Sequence, residues 1–275
     1  MIPKIIVDGA CDTGKVVDAW TDVTRVPLYI SVNGKDFFDD GSLDTVDLIQ
    51  NIKEDESIAK TAAVSPGSFM EAVGNSMEAF IVTCSSKLSS TYSNAVFAAK
   101  ELMEEGKKIH VFDSWSEGPA EVSLVEKIRQ WISEKVDFDE IVCRGEEFRN
   151  KLHTFFVLED LSTLTKSGRM PKLAVKAASL LSIVPICAGD EGTIAIRDLR
   201  RGINSAIKCL VSHIINANID FSERTLYISH VNNLPRAEKV REMVRGHNLF
   251  HKIEICEAGG ITTVYANQGG IVVAF

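Results

Sequence analysis

Residues 79–92 read AFIVTCSSKLSSTY: an apolar run, AFIVTC, that empties into four serines and a threonine. The run has the length and β-branched content of a buried strand, and the residues after Ser89 have the spacing of a helix. Hydroxyls at such an exit cap the helix, attack a substrate or bind a ligand. Ser89 or Ser90 is placed to cap a helix beginning near Thr91, a common task for serine. That leaves Ser85 and Ser86 without a role. A nucleophilic serine needs a base and a shaped turn, and no G-x-S-x-G occurs in the chain. Hydroxyls and backbone N–H groups at a helix start also cradle a carboxylate or phosphate.

Outward from this segment the same alternation continues. Strand-like runs fall at 4–7, 26–32, 108–112, 153–159, 182–188, 193–199, 225–231, 252–258 and 269–275. Helical periods fill 45–54, 66–74, 90–105, 119–134, 138–151, 202–217 and 235–246, and Ser65-Pro66 supplies a cap followed by proline at the first helical position. This is an α/β protein. Past about residue 150 the helices thin out, and DEGT (190–193) reads as a hairpin between two strands. The expected organisation is an amino-terminal domain, 1–150, with an open and mostly parallel sheet, and a carboxy-terminal α/β domain, 151–275, with a mixed sheet.

The 275 residues carry a net charge of −8, against a general nucleic-acid or anionic-membrane role. No run approaches ~18 apolar residues, and MIPKIIVDG lacks the form of a signal peptide. A cytoplasmic protein without stable membrane insertion is expected. The six cysteines are scattered, with no C-x-x-C pair, and read as buried reduced thiols. No metal site is expected.

Other segments compete for a functional role. GACDTGKV (9–16) fits G-x-x-x-x-G-K, but Val16 replaces the Mg²⁺-binding hydroxyl, and Asp8 and Asp12 sit where phosphates would lie, so it reads as a strand-to-helix turn. KTAAVSPGSF (60–69) is a second polar loop, from which Thr61 can share a crevice with Ser86. The basic stretch 165–176 and RDLRRG (197–202) read either as solvated surface or as a docking patch for an acidic or phosphate-bearing partner. Between them, 173–189 is simple core or the wall of an apolar tunnel. His230 ends a strand and reads as an edge histidine.

In order along the chain, DGACD (8–12), VPLYISV (26–32), TAAVSP (61–66), SSKLSST (85–91), Asp113-Ser114, KSGRM (166–170), LLSIVPI (180–186) and RRGINSAI (200–207) resemble the motifs of the DegV family of bacterial lipid-binding proteins. The resemblance spans nearly the whole chain. It implies a two-domain α/β protein that buries a long-chain fatty acid between its domains, needs no cofactor and is not itself an enzyme. Carried over, Thr61 and Ser86 hydrogen-bond the carboxylate, with Ser85 adjacent. Some members are the acyl-presenting subunit of bacterial fatty acid kinase, whose separate ATP-binding partner phosphorylates the bound carboxylate. Arg169 and Arg201 would lie on the side facing such a partner.

Three positions depart from the pattern. Gly9 and Ala62 replace serines, and Tyr265, in YANQGG (265–270), stands where a histidine is expected. A tyrosine can still donate a hydrogen bond to a carboxylate, but at neutral pH it brings no positive charge. Two other classes of function remain: a serine-dependent acyl or phosphoryl transferase, with a base beside Ser85 or Ser86, and a regulatory or interaction protein whose pocket is filled by its own side chains.

Overall fold

The computed structural model describes residues 2–12, 20–54, 59–170 and 182–275. Strands β1 (Lys4–Asp8), β2 (Val23–Val26), β6 (Glu78–Thr83) and β7 (Lys108–Asp113) form a fully parallel sheet in the order β2-β1-β6-β7. Their runs KIIVD and EAFIVT are buried almost throughout, because helices cover both faces. On one face, Phe80 and Phe112 pack with Val125 of α4 (Pro119–Ser133) and Ile141 of α5 (Phe138–Asn150). On the other, Ile6 and Ile81 pack with Phe69 of α2 (Pro66–Val73) and Ala95 and Ala98 of α3 (Thr91–Glu104). Each large side chain so buried contributes about 1.5–3 kcal/mol. The cap expected at Ser65 is present: its hydroxyl accepts from Ser68 N at 3.1 Å, with Pro66 opening the helix.

The expected single strand 26–32 is two strands. Proline has no N–H for a ladder, and at Pro27 the chain leaves the first sheet for a small antiparallel one. That sheet runs β4-β3-β5, built from β3 (Leu28–Val32), β4 (Lys35–Asp39) and β5 (Lys60–Ala62). Asn33 and Gly34 join β3 to β4 with φ of 52° and 71°, the backbone of a type I′ turn. Helix α1 (Thr45–Glu54) follows.

Among the described residues, every strand after residue 150 belongs to one mixed sheet, ordered β10-β9-β8-β13-β11-β12. Its members are β8 (Thr154–Val157), β9 (Ile183–Asp190), β10 (Thr193–Arg201), β11 (Thr225–His230), β12 (Lys252–Glu257) and β13 (Ile271–Ala274). Only β11 and β12 are parallel, joined through α8 (Leu234–Arg245). The DEGT hairpin is present, with Glu191 at φ 49° and Gly192 at φ 86°.

Side-chain alternation splits this sheet's two faces. Val157, Ile186 and Val273 pack under α7 (Ile203–Ile215) and α8, whereas Phe156, Cys187 and Val272 join the core that holds Ile6, Leu28 and Tyr265. That second face walls the pocket. The cysteines are all unpaired, and Cys143 on α5 is exposed rather than buried as expected. No helix among the described residues is long and apolar enough to cross a membrane.

Candidate functional site

The pocket lies where the hydroxyl loops of the amino-terminal half meet the mixed sheet. Phe156, Leu158 and Val272 form its apolar wall, with Leu28 and Ile261 opposite and Leu164 of α6 (Ser162–Lys166) beside them. Its polar lining includes Thr61, Ser89, Glu117, Arg169 and Tyr265, with Ser116, Thr154 and Thr193 as further hydroxyls. The cavity volume is about 60 Å³, and the pocket is partly open to its surroundings.

Tyr265 arrives on α9 (Gly260–Ala266), a buried helix absent from the sequence expectations. Two carboxylates fix that helix. Asp12 Oδ1 accepts from Gly259 N and Thr262 Oγ1, each at 2.8 Å, and Asp39 Oδ2 accepts from Ile261 N at 2.6 Å. Acids at a helix start satisfy unpaired N–H groups and the positive end of the dipole. Thr61, on β5 opposite Ile30, then meets Tyr265 at 2.7 Å from hydroxyl to hydroxyl. The Arg169 guanidinium stacks on the Tyr265 ring, 4.8 Å from its centroid, and its Nε donates to Leu88 O at 2.9 Å. Burial raises the Tyr265 phenol above its ordinary range, so at neutral pH it is a donor with no charge of its own.

The serines of the loop separate. Ser85 is fully buried; its hydroxyl donates to Gly192 O at 2.7 Å and accepts from Lys87 N at 3.1 Å. It ties the loop to the β9–β10 turn and meets a backbone carbonyl, not a base. Ser86 is exposed, with its N–H on Asp113 Oδ1 at 3.1 Å. It lines a shallow outer depression together with Ser90 and Ser93, and Thr61, Ser89 and Arg169 border both depression and pocket. Thr61 and Ser86 therefore share the mouth, while Ser89 stands with Thr61 at the inner site. Ser90 occupies the N-cap of α3 without a side-chain cap bond, and Ser89, one residue earlier, accepts from Thr91 N at 3.2 Å with its Oγ 2.9 Å from Thr91 Oγ1.

Glu117 was not legible in the sequence as a pocket residue. Burial, reinforced by the charges of Asp12 and Asp8, pushes its carboxyl up to about 8, against a smaller opposing pull from Arg169. It is protonated at neutral pH and can donate. The Cys84 thiol, also on the wall, is held well above its usual range by burial and is no nucleophile. Arg201 is exposed at the end of β10, away from this cluster, and Arg169 lies at the pocket mouth. Gly9, which departs from the family's serine, has no room for a side chain: a Cβ there would lie 2.5 Å from Asp39 O and 2.8 Å from Leu28 N. The glycine-lysine motif past residue 12, the basic stretch beyond Met170 and most of the run 173–189 fall outside the described residues.

A parallel α/β layer and a mixed sheet enclosing a mostly apolar pocket with a hydroxyl-and-arginine cluster define the class. The model of the uncharacterised DegV protein family matches residues 3–275, and the chain belongs to that family. A DegV domain-containing protein of Streptococcus gordonii is 30% identical over 277 residues, covering 99% of this chain and 98% of the relative. Among solved structures, a DegV family protein from Ruminococcus gnavus, refined with vaccenic acid, aligns with a TM-score of 0.95 at 33% identity and full coverage of both chains. The Fatty Acid Kinase (Fak) B3 protein of Streptococcus pneumoniae, loaded with linoleic acid, aligns at 0.91 with 27% identity over 100% of this chain and 99% of that one.

Proposed function

We propose that this protein binds a long-chain fatty acid between its 1–150 and 151–275 halves, with the carboxylate at the Thr61–Ser89–Tyr265–Arg169 cluster. The observation that carries the reading is a cluster of donors in a mostly apolar pocket, with Thr61 and Tyr265 hydroxyls 2.7 Å apart and Arg169 over the Tyr265 ring. A buried carboxylate is costly unless donors meet both oxygens. Three hydroxyls and a guanidinium supply them, and Arg169 supplies the positive charge that tyrosine at position 265 does not. Each buried methylene adds about 0.8 kcal/mol, so the tail provides most of the affinity and the cluster fixes orientation. Ser86 at the mouth makes an outer contact, and Ser85 holds the loop in place. Glu117, neutral at pH 7, stands beside the headgroup without repelling it.

The Fak B3 likeness supports a further step: presentation of the carboxylate to a separate ATP-binding subunit, which would supply the phosphoryl chemistry. Arg169 at the mouth and exposed Arg201 are the cations to meet it. The protein alone is then a non-catalytic, cytoplasmic carrier. A void of about 60 Å³ favours a second reading, a pocket closed on its own side chains in a protein that keeps only its interaction surface. Extraction and mass spectrometry of protein purified from a bacterial host separates the two: stoichiometric long-chain acid supports binding, and an empty protein that also refuses added acid supports the second reading.

A further inference from the structure

On the far side of the mixed sheet from the pocket, β10 and α7 bring a thiol, an imidazole and a carboxylate together. Asp198 follows a register shift in β10 between Ile196 and Asp198, an irregularity of the kind that re-aims a side chain. Cys209 and His213 lie one helical turn apart on α7 and so share a face. Cys209 Sγ is 3.2 Å from Asp198 Oδ2, His213 Nε2 is 3.8 Å from the same oxygen, and the three donor atoms all lie within 4.8 Å of one another.

One of the three is unsatisfied. His213 Nε2 is buried with no hydrogen-bond partner, although its ring is held by stacking on Phe155 at 5.4 Å and 19°. A buried ring nitrogen, fixed in direction and facing a thiol and a carboxylate, is a ligand geometry as much as an ion-pair geometry. Tetrahedral zinc, with bonds of about 2.0–2.3 Å, holds its donors roughly 3–4 Å apart. The observed separations need only small side-chain shifts to reach that. Thiolate and imidazole select zinc over magnesium or calcium, and three protein donors leave a fourth position for water.

We propose that Asp198, Cys209 and His213 form a Zn²⁺ site. Binding displaces the thiol proton to solvent and frees Asp198 Oδ2 from Arg200, which pairs with both oxygens of Asp198 but is 41% exposed and can turn outward. The site is independent of the lipid reading, since none of its residues lines the pocket.

Titration of chelator-stripped, full-length protein with Co²⁺ tests it directly. The expected result is one saturable equivalent with thiolate-to-cobalt absorption and the visible bands of a four-coordinate ion, displaced by Zn²⁺. Cys209→Ser should abolish the thiolate band, and His213→Gln should weaken cobalt binding by about tenfold or more. Circular dichroism of both variants without metal establishes that they fold. If Cys209→Ser misfolds, His213→Gln alone decides. No saturable cobalt signal, or a signal that neither substitution changes, overturns the proposal and leaves an ion pair capped by a thiol.

Discussion

The hydroxyls of Thr61 and Tyr265, 204 positions apart in the chain, meet at 2.7 Å in the lining of the pocket. One comes from a short strand of the small antiparallel sheet and the other from a buried helix fixed by Asp12 and Asp39. The pair joins the two halves of the molecule, and in the proposed reading the hydroxyl that does not donate within the pair donates to the carboxylate.

Tyr265→Phe should therefore reduce retention of a fatty acid by about 1–3 kcal/mol, the cost of leaving a buried acceptor short of a donor. Tyr265→His should restore it. Both are read by equilibrium binding of a fluorescent fatty acid. Unchanged affinity in Tyr265→Phe would remove Tyr265 from the headgroup site.

The loop serines should separate in the same assay. Ser89→Ala should weaken ligand retention. Ser85→Ala should instead lower thermal stability, by about 1 kcal/mol or more, because Gly192 O loses its partner in a buried place. Ser86→Ala, at an exposed position, should have the smallest effect of the three. Equal loss of binding in Ser86→Ala and Ser89→Ala would place the carboxylate further out, at the mouth.

Glu117 makes a pH prediction with a definite sign. Its carboxyl is raised to about 8 in the folded protein, against an ordinary value near 4.5. Between those values the unfolded chain has already lost the proton that the folded chain keeps, so the Glu117 contribution to stability falls as pH rises through that window. Above about pH 8 its charge also faces the ligand carboxylate. Fatty-acid retention should drop across pH 8 in the unsubstituted protein, and the drop should be smaller in Glu117→Gln. Parallel profiles for the two would contradict this.

Gly9→Ser, which restores the family's residue, should destabilise this chain by about 1–3 kcal/mol or more, because the added Cβ would press on the backbone of β3 and the end of β4. Denaturant unfolding measures it. A neutral result would mean that these strands shift easily.

Much of the fold was legible because the strongest signals are local. The buried runs KIIV and AFIVTC, the Ser65-Pro66 cap and the turn at 190–193 each carry their own reason. The Asn33-Gly34 turn between β3 and β4 carries an equally local signal, but the expectations did not include it, nor the third sheet it builds. Helix α9 had no such signal: GITTVYA is rich in β-branched residues, and it is helical because Asp12 and Asp39 hold its start and the core surrounds it. Thr61 and Tyr265 could be named from motif order, but the division of labour between Ser85, Ser86 and Ser89 depends on where a turn 107 residues away places its carbonyl. No metal-ligand spacing was read at Cys209 and His213, and Asp198 joins them only through sheet and helix packing.

The central claim is that the pocket holds a fatty acid, and native mass spectrometry of the protein as purified from a bacterial host tests it most directly. The expected result is a one-to-one complex that releases a long-chain fatty acid on denaturation and loses occupancy in Ser89→Ala. A bare chain mass that does not shift when long-chain fatty acid is added would contradict it.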